Sequence, residues 1–512
     1  MITKISSLTF SGVDITDVDV QVQITSGIPK FTIVGLADKT IAESKERVSA
    51  ALSSIGLSLP SKKILVNLAP ADLIKEGSHF DLPIGVAILA AMNVLPIDAL
   101  KDYMILGELS LDGDILPVSG VLPVAIGASA RNKGVICAKQ NGSEAAWSGN
   151  DSILAASNLL ELVNHFKGTQ VLKCPKPNLD DSEMQYPDLK DIKGQKIAKR
   201  ALEIAAAGGY NLLMFGSPGS GKSMLAQRLP GIMPKLAPSE ILECSMVASV
   251  SGKIKDGCLI KERPFRSPHH SCTTAAMVGG GVGRKVKPGE ISLAHNGVLF
   301  LDELPEFNSA VIESLRQPME TREVMISRSG AHIKYPANFQ LIAAMNPCKC
   351  GYLNDPHKSC NKAPICASNY QSKISGPILD RFDLHIEVSN SETEYSYEKM
   401  LDVSGEESSA DVMKRVSDAQ KMQKERYEGY DISINSNLDG SLLIDYAIPV
   451  DDGKEMLNEA AKKFRISMRA YNRILRVART IADLENSKWV KKFHIAEALS
   501  YRQMDIAKME AA

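Results

Sequence analysis

Eight residues near the middle of the chain match the phosphate-binding pattern G-x-x-x-x-G-K-[ST]. They follow the apolar run Leu212–Phe215 and precede a segment with helical character, which is the strand–loop–helix setting that such a loop needs. Glycines let backbone N–H groups turn toward phosphate oxygens, and the N-terminus of the next helix favours negative charge. The pattern predicts a nucleoside triphosphate site formed by Gly216, Ser217, Pro218, Gly219, Ser220, Gly221, Lys222 and Ser223.

Two acidic residues after a second apolar strand complete this prediction. The run 297–301 ends in Asp302 and Glu303. Lys222 is placed to reach the β- and γ-phosphates, Ser223 to bind Mg²⁺, and Asp302 to hold the metal through its water shell. Glu303 is the candidate general base for the attacking water. Each pattern alone also fits a glycine-rich turn or a buried strand with a charged end, but together they favour triphosphate hydrolysis.

The composition is that of an ordinary globular protein. With 512 residues, 44% of them hydrophobic and 23% charged, the chain has room for about three domains. A net charge of −1 excludes a global polybasic field, so a nucleic-acid site has to be a local patch. The longest apolar segment, 82–95, is too short and interrupted to span a bilayer. Without a signal-peptide pattern or a disulfide scaffold, we expect a cytoplasmic protein and no membrane partner.

The order of elements predicts an α/β multidomain fold. Residues 1–167 mix strands and helices, which indicates an α+β domain, and the proline-containing stretch 168–188 indicates a linker. In 189–390, strands alternate with helices around the glycine-rich loop, the pattern of a parallel α/β sheet. The last part, 391–512, is first polar and then strongly helical, and we expect it to form a helical lid.

Two polar residues later in the core are further candidates for contact with the triphosphate. Asn346 follows the apolar run 339–345, where a γ-phosphate and its water would lie. Arg381 lies in a loop, where it could stabilise charge on a phosphoryl group bound by a neighbouring subunit. A surface ion pair with Asp380 or Asp383 explains Arg381 equally well.

A basic stripe without acidic residues lies near the C-terminus, and Arg469, Arg473 and Arg476 share one face of its predicted helix. The stripe could be a solvated face, or it could lie opposite nucleotide phosphate, acidic neighbours or DNA. The stripe consists of Lys462, Lys463, Arg465, Arg469, Arg473, Arg476 and Arg479.

The order of these features resembles that of AAA+ ATPases. Four segments are similar, more narrowly, to the magnesium-chelatase-like branch and specifically to the ComM/YifB family: RSPHH at 266–270, VGGG at 278–281, PGEISLAHNGVLFLDE at 288–303 and AAMNPC at 343–348. The resemblance covers essentially the whole chain. It implies a ring, expected to be a hexamer, with each nucleotide bound between two subunits.

The resemblance also implies residue roles. Asn346 corresponds to sensor 1, Arg381 to the arginine finger that acts on a neighbouring subunit, and Arg469 to sensor 2. Ile192 and Gly194, just ahead of the first core helix, correspond to residues that usually flank adenine. The implied cofactors are ATP and Mg²⁺.

The function implied by the resemblance is that of a DNA motor. It would have helicase or branch-migration activity in homologous recombination of incoming DNA during natural transformation. Expected partners are single-stranded or branched DNA, further copies of the chain, and recombinase or loader proteins. The alternatives are a magnesium-chelatase-type motor that remodels a protein partner, an ATP-dependent protease, and a nucleotide switch without hydrolysis, which the presence of Glu303 opposes.

Residues 64–131 resemble the ribosomal-S5-like fold of Lon proteolytic domains. The nucleophilic serine of that family would fall near 81–83 and its lysine near Leu122, and neither position matches. Ser78 is close in sequence, but nothing supplies its general base. The protease is therefore disfavoured. The Lon-like domain is foreign to chelatase motor subunits and disfavours that alternative too, so we expect a scaffold or a DNA-contacting collar.

Two segments are candidates for contact with a substrate. The helical insertion, 241–283, is too long for a simple connection, and the hairpin, 323–335, carries Arg328 and Lys334 near its tip. Contacts with a phosphate backbone would be independent of sequence and sensitive to salt. Candidate cations in and next to the helical insertion are Lys253, Lys255, Arg263, Arg266, Arg284, Lys285 and Lys287.

Four of the nine cysteines lie within nineteen residues: Cys348, Cys350, Cys360 and Cys366. Thiolates in such loops suit tetrahedral Zn²⁺, which could fold an insertion that has little core of its own. The C-x-C start is less diagnostic than C-x-x-C, so thiols without a metal remain an alternative.

Overall fold

The computed structural model describes residues 2–36, 38–73, 75, 77–179, 186–281, 286–328, 331–351, 353, 365–388 and 406–502. Three sets of elements follow one another along the chain, and two of them are built on separate sheets. The predicted α/β multidomain fold is confirmed, whereas the proposed domain boundaries and the likeness to the S5-like fold stay predictions. Among the helices described, none combines the length and apolarity that crossing a bilayer requires.

The described part of the N-terminal region contains nine strands, seven of which form one mixed sheet. The strands are β1 (Ile2–Ser11), β2 (Asp14–Thr25), β3 (Lys30–Val34), β4 (Lys63–Ala69), β5 (Tyr103–Ile105), β6 (Glu108–Leu109), β7 (Ile115–Leu116), β8 (Gly134–Ala138) and β9 (Ile153–Ala156). The sheet order is β3-β4-β2-β1-β5-β8-β9, and β6 pairs with β7. Alternation along β2 places Val18, Val20 and Val22 in the core, because successive side chains point to opposite faces.

The described residues of this region also form six helices: α1 (Asp38–Ser54), α2 (Asp81–Ala91), α3 (Ile97–Leu100), α4 (Val121–Ser129), α5 (Gly142–Ala146) and α6 (Leu159–Phe166). Helix α2 is apolar on all sides and is therefore buried along almost its whole length. Its first residue, Asp81, is also buried and accepts a hydrogen bond from Arg47 Nε at 2.6 Å. Burial raises the pKa of Asp81, and the Arg47 hydrogen bond opposes that shift.

The central region is a parallel sheet with helices. Its strands are β10 (Leu212–Phe215), β11 (Phe265–Arg266), β14 (Val298–Leu301), β17 (Gln340–Met345) and β18 (Leu384–Glu387), with the short pairs β12 (Gly279–Gly280) and β13 (Lys287–Pro288), and β15 (Glu323–Arg328) and β16 (Ala331–Pro336). Its helices are α7 (Lys196–Gly208), α8 (Lys222–Ile232), α9 (Pro238–Ser251), α10 (Thr274–Val278), α11 (Glu290–Leu293), α12 (Ser309–Ser314), α13 (Arg316–Thr321), α14 (Ile365–Gln371) and α15 (Gly376–Leu379). The sheet order is β11-β14-β17-β10-β18, with every neighbour parallel. Loops that follow β10, β14 and β17 therefore meet at one edge, where open α/β sheets bind their ligands.

The C-terminal region is helical, and its basic stripe is divided: Lys462, Lys463, Arg465 and Arg469 are exposed, whereas Arg473 and Arg479 are buried. The helices are α16 (Ser409–Arg426), α17 (Gly440–Ala447), α18 (Asp451–Lys463), α19 (Met468–Leu484) and α20 (Lys492–Ser500). In α19, buried Arg473 pairs with Asp383 of the central region at 3.4 Å, and buried Arg479 pairs with Asp483 at 2.9 Å. These arginines fix the helix in place because a buried charge needs a partner.

Short 3₁₀ helices complete the described structure. They are Ser78–Phe80, Lys139–Asn141, Leu189–Asp191, Leu304–Glu306 and Asn435–Asn437.

Candidate active site

The glycine-rich loop joins β10 to α8 and is open on one side. Gly219 and Gly221 have φ angles of +77° and +89°, and a Cβ added to either would meet no described atom within 4 Å. On the other side the loop is closely packed, since a Cβ on Gly216 would lie 2.2 Å from the Val388 carbonyl oxygen. The backbone thus forms a cradle whose free side can accept phosphate oxygens.

Lys222 is the hub of this loop. Its Nζ donates to the carbonyl oxygens of Gly216 at 2.9 Å and Ser217 at 2.8 Å, and lies 3.4 Å from Asn346 Oδ1. Burial lowers the pKa of Lys222, while nearby Asp302 acts in the opposite direction. The ammonium group is therefore held at the mouth of the cradle, where a β- or γ-phosphate could replace carbonyl partners.

The predicted magnesium ligands lie together beside the loop. Ser223 Oγ donates to Asp302 Oδ2 at 2.7 Å. Hard oxygen ligands of this kind suit Mg²⁺, which binds one or two protein groups together with phosphate oxygens and water. The cradle, Lys222 and this oxygen pair fit a triphosphate with its metal, and bound Mg²⁺ would neutralise charge on the phosphates.

Glu303 projects from the end of β14 with its carboxylate half exposed. Its backbone has a φ angle of +52°, a left-handed conformation that is uncommon outside glycine. Asn346 follows β17, the strand next to β14. The residues expected to contact a γ-phosphate and its water are therefore brought to one edge of the sheet.

Sequence reasoning missed one neighbour of Glu303. His270 Nδ1 lies 3.6 Å from Glu303 Oε2, because β11 and β14 are adjacent and their following loops meet. In the sequence this histidine stands out only as part of the RSPHH segment at 266–270. Nothing in the sequence indicated that His270 and Glu303 are close, because their contact depends on the strand order.

The structure gives Arg381 a partner that the sequence did not predict. Arg381 does not pair with Asp380 or Asp383 as an alternative interpretation suggested; it pairs with Glu320 of α13 and donates to the Pro377 carbonyl at 2.6 Å. Glu320 had no sequence signal. The trans role of Arg381 stays a prediction.

The adenine and sensor 2 residues also stay predictions. Ile192 is buried, and the Gly194 N–H donates to Glu406 Oε1 at 2.9 Å, so this segment is tied to the C-terminal region. Arg469 is exposed in the first turn of α19.

The candidate cations of the helical insertion divide into two groups. Arg263 is structural, since it donates to the Pro234 and Asn296 carbonyls at 2.6 and 2.7 Å. Arg266 is held by both oxygens of Glu290. Lys253, Lys255 and Lys287 are exposed, while Arg284 and Lys285 lie outside the described residues.

Both segments that the sequence predicts to contact a substrate also contact the N-terminal region. Buried Glu144 of α5 accepts hydrogen bonds from Ser249 Oγ of α9 at 2.5 Å and from Leu122 N at 3.2 Å. At the hairpin, the Gly12 turn approaches so closely that a Cβ there would lie 2.1 Å from the Lys334 carbonyl oxygen. Movement of either segment would therefore have to break contacts with the N-terminal region or carry it along.

Three of the four candidate zinc ligands converge. Cys348, Cys350 and Cys366, hereafter the cysteine cluster, have Sγ atoms within 4.8 Å of one another, and the first two are 2.9 Å apart. Cys360 lies outside the described residues.

Comparison with known proteins agrees with this geometry. The family model for "Magnesium chelatase, subunit ChlI" matches residues 188–396, and the models for "Subunit ChlI of Mg-chelatase" and "Magnesium chelatase, subunit ChlI C-terminal" match 20–141 and 406–502. A glycine-rich cradle, an Asp–Glu pair and an asparagine on adjacent parallel strands define, together with these matches, an ATPase of the magnesium-chelatase-like AAA+ class. Membership of this class implies use of ATP and Mg²⁺.

The family can be named more narrowly. The chain is 43% identical to Competence protein ComM of Haemophilus influenzae and 41% identical to YifB of Salmonella typhimurium, with 96% of each chain covered in both cases. It is 24% identical to the magnesium-chelatase 38 kDa subunit of Cereibacter sphaeroides, over 38% of this chain and 57% of that one. The chain belongs to the ComM/YifB family.

Proposed function

We propose that this protein is a ring-shaped motor, expected to be a hexamer, that couples ATP hydrolysis to movement of DNA. Helicase or branch-migration activity on incoming DNA, in natural transformation and homologous recombination, is the activity we assign to it. The observation that carries the proposal is the arrangement of the predicted active-site residues at one edge of the parallel sheet. The chain is similar along 96% of its length to a protein named for competence. The cytoplasm, where ATP and recombinases occur, is the proposed location.

In this proposal Glu303 is the general base. Its exposed carboxylate accepts a proton from water as that water attacks the γ-phosphorus, while Lys222 and Asn346 hold the phosphoryl oxygens. Arg469 as sensor 2, and Ile192 and Gly194 beside the adenine ring, complete the nucleotide contacts.

We assign Arg381 to the neighbouring subunit's nucleotide. Its guanidinium is mostly covered and pairs with Glu320, so we expect Arg381 to exchange this carboxylate for a phosphate of the neighbouring subunit. Lys222→Ala and Arg381→Ala proteins should each be inactive. Mixed in equal amounts, they should regain about a quarter of wild-type ATPase activity, because one in four seams of a head-to-tail ring then has both residues. Mixtures that stay inactive although mixed rings form would contradict the shared site.

The direct test of the substrate is stimulation of ATPase activity. We expect forked or three-stranded DNA to raise the rate, with steep loss of binding as salt increases. Activity that ignores every form of DNA but responds to a porphyrin or a protein partner would support the chelatase-type alternative instead. The protease alternative has little support, because neither the serine nor the lysine position of the Lon family is matched in this sequence. Ser78 Oγ does donate to a carboxylate, that of Glu108 in β6.

Zinc and the N-terminal region belong to the same proposal. We assign a structural Zn²⁺ to Cys348, Cys350 and Cys366, with Cys360 as the predicted fourth ligand. The N-terminal region, expected to be Lon- or S5-like, would serve as a collar that moves with the helical insertion. A recombinase or loader protein remains the expected further partner.

A further inference from the structure

The cysteine cluster lies beside the nucleotide site. Cys348 is two residues beyond Asn346 and is fully buried. Cys366 lies in the first turn of α14. The cluster thus joins the end of β17, which carries an active-site residue, to a separate helix.

Helix α14 has a second attachment at its other end. Gln371 Nε2 donates to the Pro347 carbonyl at 3.0 Å. Burial raises the pKa of Tyr370 on the same turn, and the nearby carboxylates of Glu306 and Glu303 add to this shift. The helix therefore lies close both to the thiols and to Glu303 at the active site.

The turn that follows Cys348 packs directly on the glycine-rich loop. Gly351 has a φ angle of +84°, and its N–H donates to the Cys348 carbonyl at 3.0 Å. A Cβ on Gly351 would lie 2.5 Å from both Cγ and Cδ of Pro218. The backbone of this turn is thus in contact with the phosphate cradle, with no room for a side chain.

We infer that zinc in the cysteine cluster braces the glycine-rich loop, so that occupancy by the metal controls the affinity for nucleotide. The inference rests on the zinc proposed above. Tetrahedral coordination with Zn–S bonds of about 2.3 Å gives sulfur–sulfur distances of about 3.8 Å, which the cluster can reach by small side-chain movements. Bound metal holds the 348–351 turn against Pro218. Its release frees the turn, and the loop loses the contact that keeps its glycines in the phosphate-binding shape.

The experiment measures zinc content by mass spectrometry and the Kd of a fluorescent ATP analogue on the same full-length protein. Stripping zinc with a chelator should raise the Kd about tenfold, and returning Zn²⁺ should restore it, which is the size of effect seen when support for a site is removed. Wild-type protein without bound zinc, and with no gain of affinity when Zn²⁺ is added, would overturn both the zinc assignment and the brace.

Variants separate the metal from the contact. Cys366→Ser should lose zinc and nucleotide affinity, whereas Cys174→Ser, which removes an exposed thiol in the 168–188 stretch, should lose neither. Gly351→Ala should keep its zinc but bind the analogue more weakly, because its methyl group pushes on Pro218. Zinc lost from Cys366→Ser with an unchanged Kd would leave the zinc site standing and refute the brace, as would an unchanged Kd in Gly351→Ala.

Discussion

The nucleotide site and the helical insertion differ in how their polar residues are used. At the nucleotide site, Gly219 and Gly221 face open space and the Glu303 carboxylate is half exposed. In the helical insertion, Arg263 and Arg266 are occupied by carbonyls and by Glu290. Lys222 and Ser223 are paired within the fold as well, but they lie beside an open cradle where phosphate oxygens could replace their partners, whereas Arg263 holds backbone carbonyls in place. The open cradle is therefore the better guide to a ligand.

The largest effect at the nucleotide site is expected from removal of the general base. Glu303→Gln should reduce the rate of ATP hydrolysis by about 10²- to 10⁴-fold, because the water then has no proton acceptor, while the Kd for ATP stays nearly the same. Turnover and nucleotide binding are measured separately. Glu306→Gln, which changes a carboxylate one turn further on, is the matched control. Unaltered hydrolysis by Glu303→Gln would remove this residue from the role of base.

Arg263 tests the structural half of the comparison. Arg263→Ala leaves the carbonyl oxygens of Pro234 and Asn296 without their donor. The variant should lower the free energy of unfolding by about 2–3 kcal/mol. Chemical denaturation measures the change. Lys255→Ala, an exposed lysine of the same insertion, should change stability by less than about 0.5 kcal/mol. Equal losses of stability in the two variants would mean that the hydrogen bonds of Arg263 do not stabilise the fold.

The nucleotide site was more predictable than the insertion for a physical reason. Its residues follow apolar strands, and parallel strands bring their carboxyl ends to one edge whatever lies between them in sequence. The contacts of His270, Glu320 and Glu144 depend on strand order and on docking of separate regions, which no local pattern encodes. Seven basic residues with no acidic residue among them likewise predicted a stripe, but not that Arg473 and Arg479 would be buried beside aspartates.

The contact between α9 and the N-terminal region can be tested more finely. Ser249→Ala removes a hydrogen bond to the buried Glu144 carboxylate and should destabilise the protein by about 1–2 kcal/mol. Ser251→Ala in the same helix removes only a bond to the Ala248 carbonyl and is the control. If thermal melting shows no difference between the two, the Glu144 contact does not hold the insertion in place.

The smallest expected effect concerns the exposed lysines. Lys287→Ala should leave stability unchanged but weaken binding to DNA of any sequence, and should reduce the salt slope of log K by about one. Fluorescence anisotropy across a salt series measures this. Burial lowers the pKa of neighbouring Lys253; the charges of Arg266 and Lys287 add to this shift, and the carboxylate of Glu290 opposes it. A slope identical to wild type would remove Lys287 from the DNA surface.

The central claim is that hydrolysis at Lys222 and Glu303 moves DNA. The most direct measurement is displacement of a labelled strand from three-stranded DNA by wild-type protein and by Glu303→Gln, each with ATP. The wild type should displace the strand, and the variant should bind ATP and DNA but displace nothing. Displacement at equal rates by both proteins, or none by a wild type that hydrolyses ATP and binds the same DNA, would contradict the claim.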